Sequence, residues 1–159
     1  MIKNIKRLIS LVTVLAITMS FFISAKAEES GVNEMTELFG NGKATTLYIA
    51  NDAPETDVYA ASVISKYFEK MTGKKPETVY GDISESGPYI AIGSSDYTGL
   101  DVPAKNGYII VSDDNGVKIA CSGNKGAARG AYSFLEKYCG CRWYTKELKV
   151  IPKSDSISV

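Results

Sequence analysis

Two hydrophobic periods alternate along the chain. Seven short runs rich in β-branched and aromatic residues have the composition of strands, and they cover 45–50, 78–80, 89–92, 107–114, 117–122, 141–145 and 149–151. Two longer segments instead carry apolar residues every three or four positions, which predicts amphipathic helices. Their apolar positions are Ala60, Ala61, Ile64, Tyr67, Phe68 and Met71 in the first helix, and Ala127, Ala128, Ala131, Phe134, Leu135 and Tyr138 in the second.

The residues before each helical segment predict how the helix begins. Asp52 precedes Glu55 by three positions, which is the spacing of a capping box, and Pro54 suits a first helical turn. Asn124 is expected to cap the second helix. Gly73 is expected to end the first helix in a left-handed conformation.

Two glycines lie inside the second predicted helix, at Gly126 and Gly130. Each costs roughly 1 kcal/mol relative to alanine in a helix interior. Residues this small therefore predict that the helix lies very close to the sheet.

The clearest hairpin signal is Asn115-Gly116, the preferred sequence of a two-residue type I′ turn. That turn would set the register of the two flanking strands, with Asp113 opposite Lys118. These two residues would form an opposite-charge pair on one face. The other face would carry the side chains of Tyr108, Ile110, Val117, Ile119 and Cys121.

The order of these elements is β-α-β-β-β-β-α-β. It predicts a mixed β-sheet with two helices on one face, an α/β (α+β) sandwich. The domain is assigned to 44–153, after a weakly structured lead-in at 28–43 that ends near a Gly-Asn-Gly break. Residues 154–159, after the last strand, are expected to start a linker toward a downstream domain.

Charge changes the picture at the N-terminus. Lys+Arg and Asp+Glu both number 18, yet residues 1–27 contain no acidic residue and hold the basic Lys3, Lys6, Arg7 and Lys26. An apolar run at 8–23 follows, and Ala25 and Ala27 complete a secretory signal peptide cleaved before Glu28. The alternative is an uncleaved anchor, since the run is nearly long enough to span a bilayer. We expect a protein of the bacterial envelope or exterior, free of the membrane after cleavage.

Composition excludes several kinds of function. The chain contains no histidine, so it supplies no Ser-His-Asp triad, no Cys-His pair and no histidine metal ligand. Its zero net charge argues against a nucleic-acid partner. Gly42-Lys43 lacks the earlier glycine of a phosphate-binding loop, because Glu37 occupies that position. We therefore expect neither a metal nor a cofactor.

The two helical segments and the exit from the second resemble one known domain. The residues concerned are Pro54-Glu55, Ala60-Ala61, Tyr67-Phe68, Met71-Thr72-Gly73, the run 126–138, Cys139-Gly140-Cys141-Arg142-Trp143-Tyr144 and Val150-Ile151-Pro152. Together they are similar to the N-terminal, β-hexosaminidase-like domain of α-glucuronidases and related secreted glycoside-hydrolase-like proteins. The same domain shape precedes the barrel of β-N-acetylhexosaminidases. Cys139 stands where the family usually has leucine, and the resemblance covers 45–159.

In that family the catalytic carboxylates lie in a downstream (β/α)₈ barrel, a fold of about 250 residues. No residue here matches a family catalytic position, so the resemblance implies no activity from this chain alone. It implies a secreted, non-catalytic accessory domain in polysaccharide breakdown, whose partner is the catalytic barrel. The alternative is a freestanding carbohydrate-binding or surface-interaction module for plant or host polysaccharide, and a small thiol-redox protein is a third possibility.

The acidic residues have structural interpretations. Asp113 and Asp114 are adjacent on a strand, so their side chains point to opposite faces, which is the wrong geometry for a glycosidase pair. Asp52 is interpreted as a cap, and Asp96, in a Gly-Ser-Ser-Asp loop, as a turn residue.

The three cysteines are an odd set for an exported protein. Without histidine they give no closed tetrahedral zinc site, and Cys139-x-Cys141 differs from the Cys-x-x-Cys redox motif. Either they pack as small apolar residues, or Cys121 forms a disulfide with Cys139 or Cys141 and leaves one thiol over.

Arg142, Trp143 and Tyr144 form the one cluster suited to a sugar. Aromatic faces stack on pyranose rings, and arginine pairs well with a uronic carboxylate. The alternative is that Trp143 packs in the core or against a partner domain, because tryptophan is usually highly buried.

Overall fold

Nine strands and three helices build residues 35–159, the part of the chain that the computed structural model describes; the expected signal peptide at 1–27 lies outside it. In chain order the elements are β1 (Glu37–Phe39), β2 (Thr46–Ile49), α1 (Glu55–Thr72), β3 (Glu77–Tyr80), β4 (Tyr89–Gly93), α2 (Ser95–Thr98), β5 (Tyr108–Ser112), β6 (Gly116–Cys121), α3 (Gly123–Lys137), β7 (Arg142–Trp143), β8 (Lys149–Val150) and β9 (Ile157–Ser158).

Five of the strands form one mixed sheet in the spatial order β3-β2-β4-β6-β5. All neighbours are parallel except β5, which lies antiparallel to β6 at the edge. Helices α1 and α3 pack against each other and against the same face of this sheet. The predicted fold class, a mixed sheet with two helices on one face, is confirmed.

The core lies between the helices and the sheet. Alternate residues of the three central strands point into it and are fully or almost fully buried: Leu47, Ile49, Ile90, Ile92, Val117, Ile119 and Cys121. From the helices, Phe68 and Phe134 meet in this layer with stacked rings 6.4 Å apart. Each large apolar side chain buried there contributes roughly 1.5–3 kcal/mol, so this layer is the main source of stability.

The close approach predicted from the two helix glycines is confirmed. A Cβ atom placed on Gly130 would lie 2.6 Å from Cγ2 of Ile119 on β6. A Cβ atom on Gly126 would collide with the carbonyl oxygen of Gly107. Helix α3 therefore rests directly on the backbone and side chains of the sheet.

The predicted register of the β5–β6 hairpin is wrong by two residues. Ile110 lies opposite Ile119 rather than Cys121, and Lys118 lies opposite Val111 rather than Asp113. A shift of two keeps every side chain on its predicted face, so the apolar face of the hairpin is as expected. The predicted charge pair is also present, since Lys118 Nζ lies 3.9 Å from a carboxylate oxygen of Asp113.

The cause of this shift is the side chain of Asp113. Its Oδ1 accepts hydrogen bonds from the backbone N–H groups of Asn115 (3.0 Å) and Gly116 (2.9 Å). The backbone N–H of Asp113 in turn donates to the carbonyl oxygen of Gly116 at 3.0 Å. This aspartate-centred turn replaces the predicted two-residue turn, because it satisfies three backbone donors and one backbone acceptor locally.

Both predicted helix caps are wrong. Pro54 occupies the N-cap position of α1, and no side chain, including that of Asp52, caps the helix. Asn124 lies within the first turn of α3 and makes no cap bond. Instead Asn106, from the loop before β5, accepts a hydrogen bond from the backbone N–H of Lys125 at 3.3 Å. The cap of α3 is thus supplied by a distant part of the chain.

The expected lead-in and linker segments contain strands. β1 and β9 pair antiparallel, and Thr36 and Val159 exchange two backbone hydrogen bonds of 2.7 and 2.9 Å beside them. Leu38 and Ile157 are buried in the same core as the main sheet. The two ends of the described segment therefore join one another because each carries an apolar residue that the core accepts.

Candidate functional site

A pocket of about 280 Å³ opens at the carboxyl ends of β2, β4 and β6. We call it the strand-end pocket; its polar lining comes from Asp52, Thr56, Asp57, Ser94, Cys121 and Asn124. From β2 the chain continues to β3, which lies toward one edge of the sheet. From β4 it continues to β5 and β6, which lie toward the opposite edge. Such divergence between neighbouring parallel strands is where α/β sheets commonly bind ligands.

The buried group of this pocket is the carboxyl of Asp57, in the first turn of α1. Its side chain is buried, with the residue only 5% exposed. Oδ1 accepts hydrogen bonds from Thr56 Oγ1 at 3.3 Å and from Cys121 Sγ at 3.7 Å. Oδ2 receives no hydrogen bond from the residues that the structure describes. Burial raises the pKa of Asp57 above its ordinary value, because a charged carboxylate loses its hydration there.

Cys121, at the end of β6, lies beside this carboxyl. Its Sγ is 3.1 Å from the carbonyl oxygen of Gly93. Burial, and then the nearby charge of Asp57, raise the pKa of the Cys121 thiol to about 12. A thiol that stays protonated at neutral pH is a poor nucleophile, so this cysteine is better suited to packing and hydrogen bonding.

Two helices begin at the strand-end pocket. α1 starts at Glu55 and α3 at Gly123, next to lining residues of the pocket in each case. The first N–H groups of a helix lack intrahelical partners and carry partial positive charge. Asp52 and Asn124, which do not cap these helices, are exposed at the pocket.

The pocket continues into a second hollow of about 230 Å³ between the beginnings of α1 and α3. The two cavities share Thr56 and Asn124, and Tyr59 forms a wall of the second with 52% of its surface exposed. A polar pocket thus adjoins an exposed aromatic ring.

Farther along the same two helices lies an aromatic cluster of Tyr67, Tyr132 and Trp143. The indole ring centre of Trp143 is 5.2 Å from that of Tyr67 and 5.1 Å from that of Tyr132, edge to face in both cases. Trp143 Nε1–H donates to Tyr67 Oη at 2.9 Å. A hydrogen bond with Tyr59, together with burial, raises the pKa of Tyr132 to about 12. These contacts link the aromatic cluster to the hollow at Tyr59.

The structure gives the three predicted sugar-contact residues three different positions. Arg142 donates from Nη1 to the carbonyl oxygens of Glu136 and, at 2.8 Å, Cys141, so it satisfies the end of α3. Trp143 is half-buried in the aromatic cluster. Tyr144 is largely exposed, at 66%, and Arg142 is exposed as well.

Tyr144 belongs to a group of exposed apolar residues on the β7–β8 hairpin. We call it the hairpin patch; its members are Tyr144, Leu148 and Val150. The backbone N–H of Tyr144 donates to the carbonyl oxygen of Leu148 at 3.0 Å, which holds those two residues side by side. These exposed apolar side chains are concentrated in one short segment of the chain.

The three cysteines are free and buried in the structure, so of the two alternatives it has the apolar packing and not the disulfide from Cys121 to Cys139 or Cys141. Cys141 Sγ lies 3.7 Å from the sulfur of Met71. Burial raises the pKa of both Cys139, to about 12, and Cys141. These environments disfavour thiolate chemistry.

The remaining acidic candidates serve the fold. Partial burial opposes the charge of Asp113, but hydrogen bonds from Tyr89 and the turn outweigh it and lower the pKa of Asp113. Asp96 lies in the short helix α2 rather than in a turn. Within residues 35–159 no group of three His, Cys, Asp or Glu residues is placed to hold a metal ion. No helix in this range has the length and apolar character needed to cross a membrane.

Compared with known protein families, the chain matches none, and a search of curated proteins finds no significant relative.

Proposed function

We propose that this chain is a secreted, non-catalytic accessory domain of a glycoside-hydrolase-type, α-glucuronidase-like protein that acts in polysaccharide breakdown. Its role is to pack against a catalytic barrel domain. The observation that supports this most directly is the hairpin patch, which leaves Tyr144 and Leu148 exposed by 66% and 57%. An accessory domain needs such a surface, because an interface core is built from large apolar side chains.

The acidic groups support a non-catalytic role. Glycoside hydrolysis uses two carboxyl groups on opposite sides of the scissile bond. Asp113 is engaged by Tyr89 and by its own turn, and Asp114 is exposed beside it. Asp52 and Asp57 line the strand-end pocket, which has room for little more than one sugar ring, and Glu55 lines the adjoining hollow.

The hydrolysis assay is the first test. We expect the purified protein to release no aryl group from nitrophenyl α-glucuronide, β-xyloside or N-acetyl-β-glucosaminide above the buffer rate. Turnover that disappears in Asp57→Asn or Asp52→Asn would show that the strand-end pocket is catalytic and would refute the accessory role.

Docking is the second test. The coding region downstream of the Val159 codon is expected to encode the barrel, which can be produced separately and titrated with this chain by calorimetry. We expect binding that weakens at least tenfold in the double variant Tyr144→Ser, Leu148→Ser. Tyr80→Ser is the matched control, since Tyr80 is also about half exposed but lies on β3, outside the hairpin patch. An equal loss of binding in Tyr80→Ser, or a downstream coding region without a barrel, would contradict the proposal.

The second candidate is a carbohydrate-binding module, and the aromatic cluster with its link to Tyr59 favours it. Aromatic rings along a groove between two helices could stack on successive sugars of a chain. Trp143 is the only tryptophan in the sequence, so its fluorescence reports this surface directly. If the protein is a carbohydrate-binding module, glucuronoxylan oligosaccharides are expected to change the fluorescence of Trp143.

The variants must separate binding from packing. Trp143→Ala removes a ring that also contacts Tyr67 and Tyr132, so it is expected to reduce stability as well as binding. Tyr59→Ser changes an exposed ring and leaves those contacts in place. Weaker binding in Tyr59→Ser, with an unchanged melting temperature, would favour the module. Unchanged binding in both variants would eliminate it.

A further inference from the structure

The strand-end pocket has features that the accessory role does not use. It combines a buried carboxyl, an exposed amide and two helix beginnings, and it lies apart from the hairpin patch. We propose that it is a binding site for one small, neutral, polyhydroxylated molecule, of the size and chemistry of a single pyranose sugar.

The first argument is the free oxygen of Asp57. Oδ1 is held by Thr56 and Cys121, whereas Oδ2 has no hydrogen-bond donor among the described residues although the side chain is buried and lines the pocket. Oδ2 is not among the fully buried unpaired atoms of the described residues, so it is open to the pocket, where it can accept a hydrogen bond from a donor on a bound molecule. A hydroxyl group supplies one.

The second argument is the balance of charge. The lining contains Asp52 and Asp57 but no lysine or arginine, which disfavours an anion such as phosphate. The two helix beginnings place partial positive charge at the same pocket, which disfavours a cation. Hydroxyl groups both donate and accept, so a neutral diol can donate to Asp57 and accept from the helix N–H groups or the Asn124 amide.

The third argument is size and setting. A volume of about 280 Å³ is at the lower end of ligand pockets and suits one ring rather than an oligosaccharide. The adjoining hollow presents the exposed ring of Tyr59. A pyranose ring has an apolar C–H face and a polar hydroxyl edge. The C–H face would lie against the Tyr59 ring while the hydroxyl edge points into the polar pocket.

A binding role for Asp57 also predicts how stability changes when the side chain is neutral. Helix α1 would be at least as stable with a neutral side chain at this position, because burial penalises the charge. Groups that cost stability yet persist in a cavity are typical of binding sites. The Asp57→Asn variant therefore separates a binding role from a structural one.

Amide chemical-shift mapping of the purified protein tests the proposal. The neutral probes are D-xylose, D-glucose and N-acetylglucosamine; the charged probes are glucosamine, glucuronate and inorganic phosphate. We expect at least one neutral sugar to shift the backbone signals of Thr56, Gly123 and Asn124 with millimolar affinity. The Trp143 indole signal should stay unchanged, which keeps this site distinct from the aromatic cluster.

Three variants define the outcome. Asp57→Asn should weaken the sugar at least tenfold, and Asn124→Trp, at an exposed position, should block the pocket even if Asp57→Asn folds poorly. Asp114→Asn, an exposed carboxylate in the β5–β6 turn, is the matched control and should bind normally. The proposal is overturned if no neutral sugar shifts these signals, if only a charged probe does, or if Asp57→Asn and Asn124→Trp bind like the parent.

Discussion

At the scale of single residues, burial decides what each polar group can do. Asp57 and Asp113 are both aspartates at the start or end of an element, yet burial raises the pKa of the first and hydrogen bonds lower that of the second. The difference arises because Asp113 accepts from Tyr89 and two backbone N–H groups, whereas Asp57 has only a hydroxyl and a thiol. An aspartate thus stabilises the turn at position 113, whereas burial of the charged carboxylate at position 57 costs stability.

A pH-dependent stability difference follows for Asp57→Asn. Because the folded state binds the Asp57 proton more tightly than the unfolded state does, the contribution of Asp57 to stability is largest below its ordinary pKa of 3.8 and is lost as pH rises through the raised value. At neutral pH the variant should be more stable than the parent, because a neutral amide carries no penalty for burial of charge. Urea unfolding at several pH values measures this, and the advantage should vanish below about pH 4. A variant that is less stable at pH 7 would show that the carboxylate stabilises the fold.

The cysteines give a second residue-scale prediction. Cys121, Cys139 and Cys141 are each at most 6% exposed and carry raised pKa values. In the folded protein we expect none of the three thiols to react with a disulfide reagent at pH 8 within minutes, and all three to react in denaturant without reductant. Only one reactive thiol in denaturant would reveal the Cys121 disulfide considered from the sequence.

At the scale of elements, the two helices differ in how they are held. α1 is an ordinary amphipathic helix that ends at Gly73, whose φ of 76° is left-handed as the sequence predicted. α3 contains three glycines and depends on contacts from elsewhere, namely Asn106 at its start and Arg142 at its end. Its position is therefore set by the sheet and loops more than by its own helix propensity.

The glycine contact predicts the effect of Gly130→Ala. The added methyl gains about 1 kcal/mol of helix propensity but would lie 2.6 Å from the Ile119 side chain. We expect overpacking to dominate and to lower the free energy of unfolding by about 1–3 kcal/mol, measured by denaturant titration. Gly87→Ala is the matched control, since no atom lies within 4 Å of its Cβ position. A stabilised Gly130→Ala would mean that α3 can shift away from β6.

At the scale of the whole molecule, the β1–β9 pairing joins the two ends of the described segment. Ile157 is only 4% exposed and belongs to the main core, and β9 is just two residues long. The strand is thus held by side-chain burial together with a few backbone bonds. A segment expected to be a linker is instead a structural part of the domain.

Ile157→Ala tests that role. Removing a buried isoleucine should cost about 2–5 kcal/mol of unfolding free energy, measured in urea. Asp155→Ala, an exposed position in the same segment, is expected to change it by less than about 0.5 kcal/mol. Equal, small effects in both variants would mean that residues after β8 are dispensable, as a linker would be.

Much of this fold could be predicted because its signals are local. The strand runs, the two apolar helix faces, the Gly73 end and the close approach at Gly130 all follow from residue type and spacing. The hairpin faces were also correct, since a shift of two residues leaves side chains on the same face.

The tertiary structure decided what depends on partners far apart in the chain. Asp52 and Asn124 have the composition of caps, but Pro54 occupies the N-cap position of α1 and Asn106 caps α3, which leaves the Asp52 and Asn124 side chains at the strand-end pocket. Asp57 looks like an ordinary first-turn acid until the fold buries it beside Cys121, 64 positions away. The sequence by itself determined the two long helices, the strands of the main sheet and the sandwich, because hydrophobic periodicity is local. The pocket needed the folded chain, because it exists only where three strand ends and two helix beginnings meet.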